Sequence, residues 1–220
     1  MKYITKYRLN VYVLLIVFTS IIVIFRFLDY DKNKYIEIKR KKIVDEKTPV
    51  ANNTPTIDFE SLRNKYNNKD IKGAIRISDE NFEEIVFQGK DNNYYLEYDY
   101  RGKKSKGEIF IDYNLDIDKK KKKKIYGEGS PKTSIFKKYY NDEYYKLHKY
   151  LELETDKSIY RYEVLCVYKG YIDYKNFDID SIIKKSLYIY NIEYEDNSEY
   201  LIFETKIDEN IISIISKKVN

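Results

Sequence analysis

The chain has 220 residues, 43% of them hydrophobic and 35% charged, which is enough apolar material to close a core and too much for a disordered tail. A single cysteine (Cys166) and a single histidine (His148) exclude an intramolecular disulfide framework, a multi-cysteine zinc site and a multi-histidine metal centre. The net charge of +5 is unevenly placed. Residues 1–47 hold a net +6 and the remainder a net −1, so the body lacks the broad basic face of a nucleic-acid binder.

Leu9 to Phe25 carries no charge, and with Arg26, Phe27 and Leu28 the apolar stretch reaches 20 residues. As a helix it spans about 30 Å, the thickness of a bilayer's hydrocarbon core. Lys2, Lys6 and Arg8 precede it, and Asp29 and Asp31 follow it. The positive-inside rule then places the N-terminus in the cytoplasm and the rest outside. A cleaved signal peptide needs a shorter apolar core and small residues at a cleavage site, and neither is present. A buried core helix is the other alternative, uncommon at this length. The chain therefore divides into a cytoplasmic tail (1–8), a transmembrane signal anchor (9–28), an extracellular linker (29–55) and a folded domain (56–220). The linker is charged and then polar, with two prolines. Its run Lys39 to Lys42 suits a solvated spacer, with anionic head groups or wall polymers as the alternative contact.

In the folded part, Asp58 suits a helix N-cap, with Phe59, Leu62 and Tyr66 on one face. Strand-like stretches follow at Ile71–Ile77, Ile85–Gln88, Tyr94–Tyr100, Glu108–Asp112 and Ile125–Tyr126, with turns at Asn92-Asn93 and Arg101-Gly102. Residues Ser134–Lys149 read as helical, broken at Asn141-Asp142, with Asp142 as a cap. Tyr150–Glu154 and Ser158–Lys169 are strand-like. Asp178 or Asp180 starts another helix, and Leu187–Tyr194, Tyr200–Lys206 and Ile211–Lys217 close the chain as strands. The pattern predicts a mainly β domain with short helices, an antiparallel or mixed barrel of about eight strands. The run Lys119, Lys120, Lys121, Lys122, Lys123, Lys124 is expected to be a solvated loop. Contact with an anionic wall polymer is its functional alternative. Nothing in the sequence calls for a cofactor or a metal.

The order of segments resembles the class B sortases, membrane-anchored cysteine transpeptidases that attach proteins to bacterial cell walls. The stretches that carry the resemblance are Ile57-Asp58-Phe59, NNKDIKGAIRI (67–77), QGKDNNYYL (88–96), GEIFIDY (107–113), IYG (125–127), IFKKYYNDEYYKLH (135–148) and YRYEVLCVY (160–168). Together they cover about residues 56–218. Ala74 stands where the family usually has Trp. The resemblance implies an eight-stranded sortase barrel preceded by one N-terminal transmembrane helix. It also implies a site of Cys, His and Arg acting on a sorting-signal peptide. In this chain Glu128 follows Tyr-Gly at the His position, Lys206 falls at the Cys position, and Asn210 or Glu209 stands where the Arg opens the last strand. No catalytic residue is intact in that comparison. The resemblance then implies a catalytically inactive pseudo-sortase, a binding or accessory module for a sorting-signal peptide or another cell-surface protein. The alternative is an active transpeptidase with a rearranged nucleophile. The remaining His148 and Cys166 suit structural places, since Cys166 is flanked by core-type residues. Opposite charges at Glu128 and Lys206 predict an ion pair across the former site.

Overall fold

The Asp58 carboxylate accepts the Ser61 amide at 2.9 Å and starts helix α1 (Phe59–Tyr66), as its position predicts. Phe59 is buried against Ile71, Ala74, Phe87, Tyr95 and Phe110. The computed structural model describes residues 18–20, 53–128, 130–169, 178–207 and 210–219. Within 53–219 the order after α1 is β1 (Ile71–Ile77), β2 (Glu83–Phe87), α2 (Tyr94–Glu97), β3 (Phe110–Ile111) and β4 (Lys122–Tyr126). A 3₁₀ helix (Pro131–Tyr140), α3 (Asp142–Leu147), β5 (Tyr150–Thr155), β6 (Ile159–Lys169), α4 (Ile179–Ile189), β7 (Tyr200–Ile207) and β8 (Asn210–Val219) complete it.

The strands close into a barrel in the order β1-β2-β3-β4-β7-β8-β6-β5. The sheet is mixed: β2 with β3 and β4 with β7 are parallel, and the other neighbours are antiparallel. Alternation explains the layers. Ile75 and Ile77 of β1, with Ile125, Leu153, Val164 and Phe203, fill the interior. Ile71 and Ala74 of the same strand face α1 instead. On the other side Ile182, Ile183 and Leu187 of α4 cover Cys166, Tyr200, Ile202 and Ile215.

Three expectations are corrected. Tyr94–Tyr100 is not a strand: the Asp91 carboxylate takes the Asn93 and Tyr94 amides, each at 2.9 Å, and turns the chain into the short helix α2. Leu187–Tyr194 is not a strand either, because α4 runs on to Ile189 to bury Leu187. The hexalysine run is only half a loop, since Lys122, Lys123 and Lys124 lie in β4. A smaller difference concerns α3, whose cap is Asn141 rather than Asp142. The predicted anchor over 9–28 lies outside the described residues except for 18–20, which are helical. Among the described residues no helix is long and apolar enough to cross a membrane.

The end of the linker is part of the folded unit. The Asn53 carbonyl accepts the Ile159 amide at 3.0 Å. The buried Glu154 carboxylate takes the Ile57 amide at 2.6 Å, the Thr56 amide and hydroxyl, and Arg76 at 2.5 Å.

Candidate functional site at the junction of β4 and β7

Parallel pairing sets β4 and β7 in register from Lys122 beside Tyr200 to Tyr126 beside Glu204. The Gly127 amide extends the ladder by donating to the Glu204 carbonyl at 2.7 Å. Thr133 in the 3₁₀ helix donates its hydroxyl to the Gly127 carbonyl at 2.9 Å, and the Thr205 hydroxyl lies 3.0 Å from that of Thr133. A Cβ on Gly127 would lie 2.3 Å from the Thr133 methyl and 2.9 Å from the Phe203 ring, so only glycine fits this crossing. The next residue along each strand is therefore held in place. Glu128 Oε1 lies 3.9 Å from Lys206 Nζ, with both side chains about two-fifths exposed. The expected ion pair forms, but in the open and at the limit of salt-bridge reach. Lys206 is too exposed for the chemistry of a desolvated amine. Asn210 opens β8 in register with Ile207.

One step back along the same seam is a pair that sequence reasoning missed. Lys124 and Glu204 meet at 3.0 Å with each side chain 7% exposed. The Lys124 ammonium also lies 4.6 Å from the centre of the Tyr126 ring. The signal was present as Lys-x-Tyr on β4 and Glu-x-Lys on β7, but parallel register is needed to read it. Lys122 pairs with Asp180 of α4 at 2.5 Å and with Asp196 at 3.5 Å. Tyr194 donates to the same Asp180 at 2.7 Å. Burial raises the Asp180 pKa, but the Lys122 and Tyr194 contacts outweigh it and hold the carboxyl below its ordinary value. Lys123 points inward, 2% exposed, with the Lys120 carbonyl at 2.5 Å and Glu199 at 3.4 Å. Lys119, Lys120 and Lys121 stay exposed, and Lys119 pairs with Asp116 at 3.0 Å. The solvated loop of six lysines is thus corrected to three, because β7, α4 and the turn before β7 supply acids for the others.

A cavity of about 400 Å³ opens beside this seam, between β4, residues 112–115 and the start of α4. Its polar wall is organised by Asp112, whose carboxylate takes the Asn92 side-chain amide at 3.0 Å and the Asn114 amide at 2.9 Å. Its apolar wall includes Ile179, Ile182 and Leu115.

The single thiol and the single imidazole are elsewhere. Cys166 is 3% exposed beneath α4, and burial pushes its pKa up to about 12. His148 ends α3, its ring 4.3 Å from that of Tyr144, with Nε2 3.8 Å from Glu80. The structure places the two in different surroundings and brings neither to the junction. Among the described residues no cluster of three or more His, Cys, Asp or Glu side chains could hold a metal ion.

A closed, mixed eight-stranded barrel with a helix in the β6–β7 connection is the fold of solved sortase B structures. The sequence narrows this: about half of the chain is similar to class B sortases. It is 32% identical over 112 residues to sortase B of Listeria monocytogenes, covering 49% of this chain and 46% of that protein. It is 33% identical over 116 residues to sortase B of Staphylococcus aureus, covering 50% and 47%. The chain thus spans about half the length of the curated relatives it matches. Clostridium perfringens sortase B superposes with a TM-score of 0.62 at 22% identity, covering 74% of this chain and 100% of that one. A Staphylococcus aureus sortase B–substrate complex superposes with a TM-score of 0.62 at 21% identity, covering 87% and 98%. No family model matches the chain.

Proposed function

We propose that this protein is a pseudo-sortase, a membrane-anchored module that binds a sorting-signal peptide or a neighbouring surface protein at the cell wall without transferring it. One observation carries the proposal. The paired ends of β4 and β7 present a carboxylate and an ammonium, Glu128 and Lys206, while the chain's only thiol is buried under α4. Attack on a peptide carbonyl needs a thiolate that substrate can reach and a base beside it. A thiol with a pKa near 12 holds almost no thiolate at neutral pH. Lys206 is about two-fifths exposed and faces the Glu128 carboxylate at 3.9 Å. The cavity beside the seam is the expected peptide site, with Asp112 and Asn92 available to main-chain groups and Ile179 and Ile182 to an apolar side chain. The uncharged stretch 9–25 with its basic leader supports a tether with the domain outside the cell.

The test uses the full-length protein in detergent with a labelled sorting-signal peptide and an amine acceptor. The proposal expects the peptide's polarisation to rise while no C-terminal fragment is released. Release of that fragment, abolished by Cys166→Ala or by Lys206→Met, would assign an active transferase instead. Membrane fractionation tests the tether: the full chain is expected in the membrane pellet, and a chain lacking residues 1–28 in the supernatant.

A further inference from the structure

A second cleft lies away from the seam residues, between the C-terminal end of α1 and the segment 94–102, with a volume of about 470 Å³. Its walls are unusual in composition, since tyrosine rings alternate with amide, carboxylate and guanidinium groups. Tyr66 and Tyr100 meet edge to face with centroids 5.1 Å apart, and Tyr66 remains 39% exposed. Tyr94 forms a further side.

The polar part is built rather than incidental. Asn67 ends α1 in the left-handed region (φ 47°) and turns the chain so that Asn68 and Asp70 follow on the cleft wall. The Asn68 side-chain amide donates to the Tyr100 carbonyl at 2.8 Å and to the Tyr95 hydroxyl at 3.2 Å, which ties the two walls together. Tyr95, 1% exposed, in turn donates to one Asp70 oxygen at 2.9 Å. Opposite, Gly102 (φ 72°) closes a turn that presents Arg101, whose Nε donates to the Tyr100 hydroxyl at 2.6 Å. The second Asp70 oxygen, the Asn67 side-chain amide and the two terminal Arg101 nitrogens make no hydrogen bond among the described residues, although the guanidinium lies 4.8 Å from the centre of the Tyr100 ring.

We propose that this cleft is a carbohydrate-binding site for a neutral oligosaccharide. Pyranose C–H faces stack on aromatic rings, and vicinal hydroxyls match the paired donors and acceptors of carboxylate, amide and guanidinium groups. The walls supply both kinds of contact in one rigid frame. A cationic ligand is disfavoured, because Lys69 and Arg101 outnumber the single carboxylate of Asp70. A purely apolar ligand would strand the polar groups. The site is independent of the junction of β4 and β7 and of any peptide bound there.

Saturation-transfer NMR on the full-length protein in detergent tests it, with triacetylchitotriose and cellotriose as probes. Saturation is expected to reach the sugar ring protons, with a dissociation constant of about 1 mM, as suits a shallow cleft. Tyr66→Ala, Asp70→Asn and Arg101→Ala are each expected to weaken binding about tenfold, with the thermal midpoint unchanged because the replaced groups are exposed or isosteric. Absence of transfer to both sugars would overturn the proposal. So would equal binding in the three folded variants, or displacement of the sugar by tetramethylammonium.

Discussion

At the scale of single residues, Glu154 and Cys166 show how burial sets chemistry. Burial alone would raise the Glu154 pKa, but the Ile57 amide, Arg76 and the Thr56 amide hold it below the usual 4.5. A carboxyl more acidic when folded than unfolded stabilises the fold fully above about pH 4.5 and loses that contribution as pH falls through its folded value. Glu154→Gln is therefore expected to cost about 2 kcal/mol at pH 7. The variant should also lose less stability than wild type between neutral and acid pH, as urea denaturation at two pH values would read. Cys166 follows the opposite rule, since burial raises its pKa to about 12 with no partner to lower it. A thiol-specific disulfide reagent at pH 8 is expected to label the native protein only as fast as it unfolds, and at once in denaturant. Fast labelling of the native state would contradict the placement under α4. Only one of the two was legible in the sequence. The apolar neighbours of Cys166 signalled a core position, whereas Glu154 looked like any strand glutamate, because its partners Thr56, Ile57 and Arg76 are 78 or more residues away.

At the scale of elements, β4 carries the main lesson. Three consecutive lysines in a strand contradict charge-run reasoning, and the explanation is topological: parallel pairing with β7 sets Glu204 beside Tyr126, within diagonal reach of Lys124, and α4 brings Asp180 to Lys122. Those acids lie at least 58 residues from the lysines they meet, so a local reading sees only like charges in a row. The same blindness produced two errors of type. Tyr94–Tyr100 and Leu187–Tyr194 are rich in aromatic and branched residues and resemble strands locally. The first is redirected by the Asp91 cap, and the second is captured by the apolar face of α4. By contrast β1, β6, β7 and β8 were legible, because their alternation is set by the barrel interior. The two ion pairs of the seam are predicted to differ in a double-mutant cycle. Lys124→Ala leaves Glu204 buried and should cost about 3–5 kcal/mol, while the joint replacement Lys124→Met with Glu204→Leu recovers most of it. Glu128→Gln or Lys206→Met should change stability by less than about 1 kcal/mol, since that pair is exposed. Equal costs for the two pairs would contradict the burial assigned to them.

At the scale of the whole molecule, the sequence similarity over about half of the chain and the closed barrel both support a sortase-type scaffold. The pairing of Glu128 with Lys206 was legible from Tyr126-Gly127 and from the last two strands, and the structure brings the two side chains to 3.9 Å. The setting of that pair was not legible. The contact is an exposed one. A buried pair, Lys124 and Glu204, lies one step back and fastens β4 to β7 beside a cavity of about 400 Å³.

The most direct measurement of the central proposal is intact-mass analysis of the full-length protein after incubation with a sorting-signal peptide, set beside a variant carrying Glu128→His, Lys206→Cys and Asn210→Arg. The account predicts that the wild-type mass is unchanged and the peptide uncut, while the variant gains the mass of the acyl fragment on its introduced thiol. An acyl adduct on the wild-type chain, or wild-type peptide cleavage lost on Cys166→Ala, would contradict it.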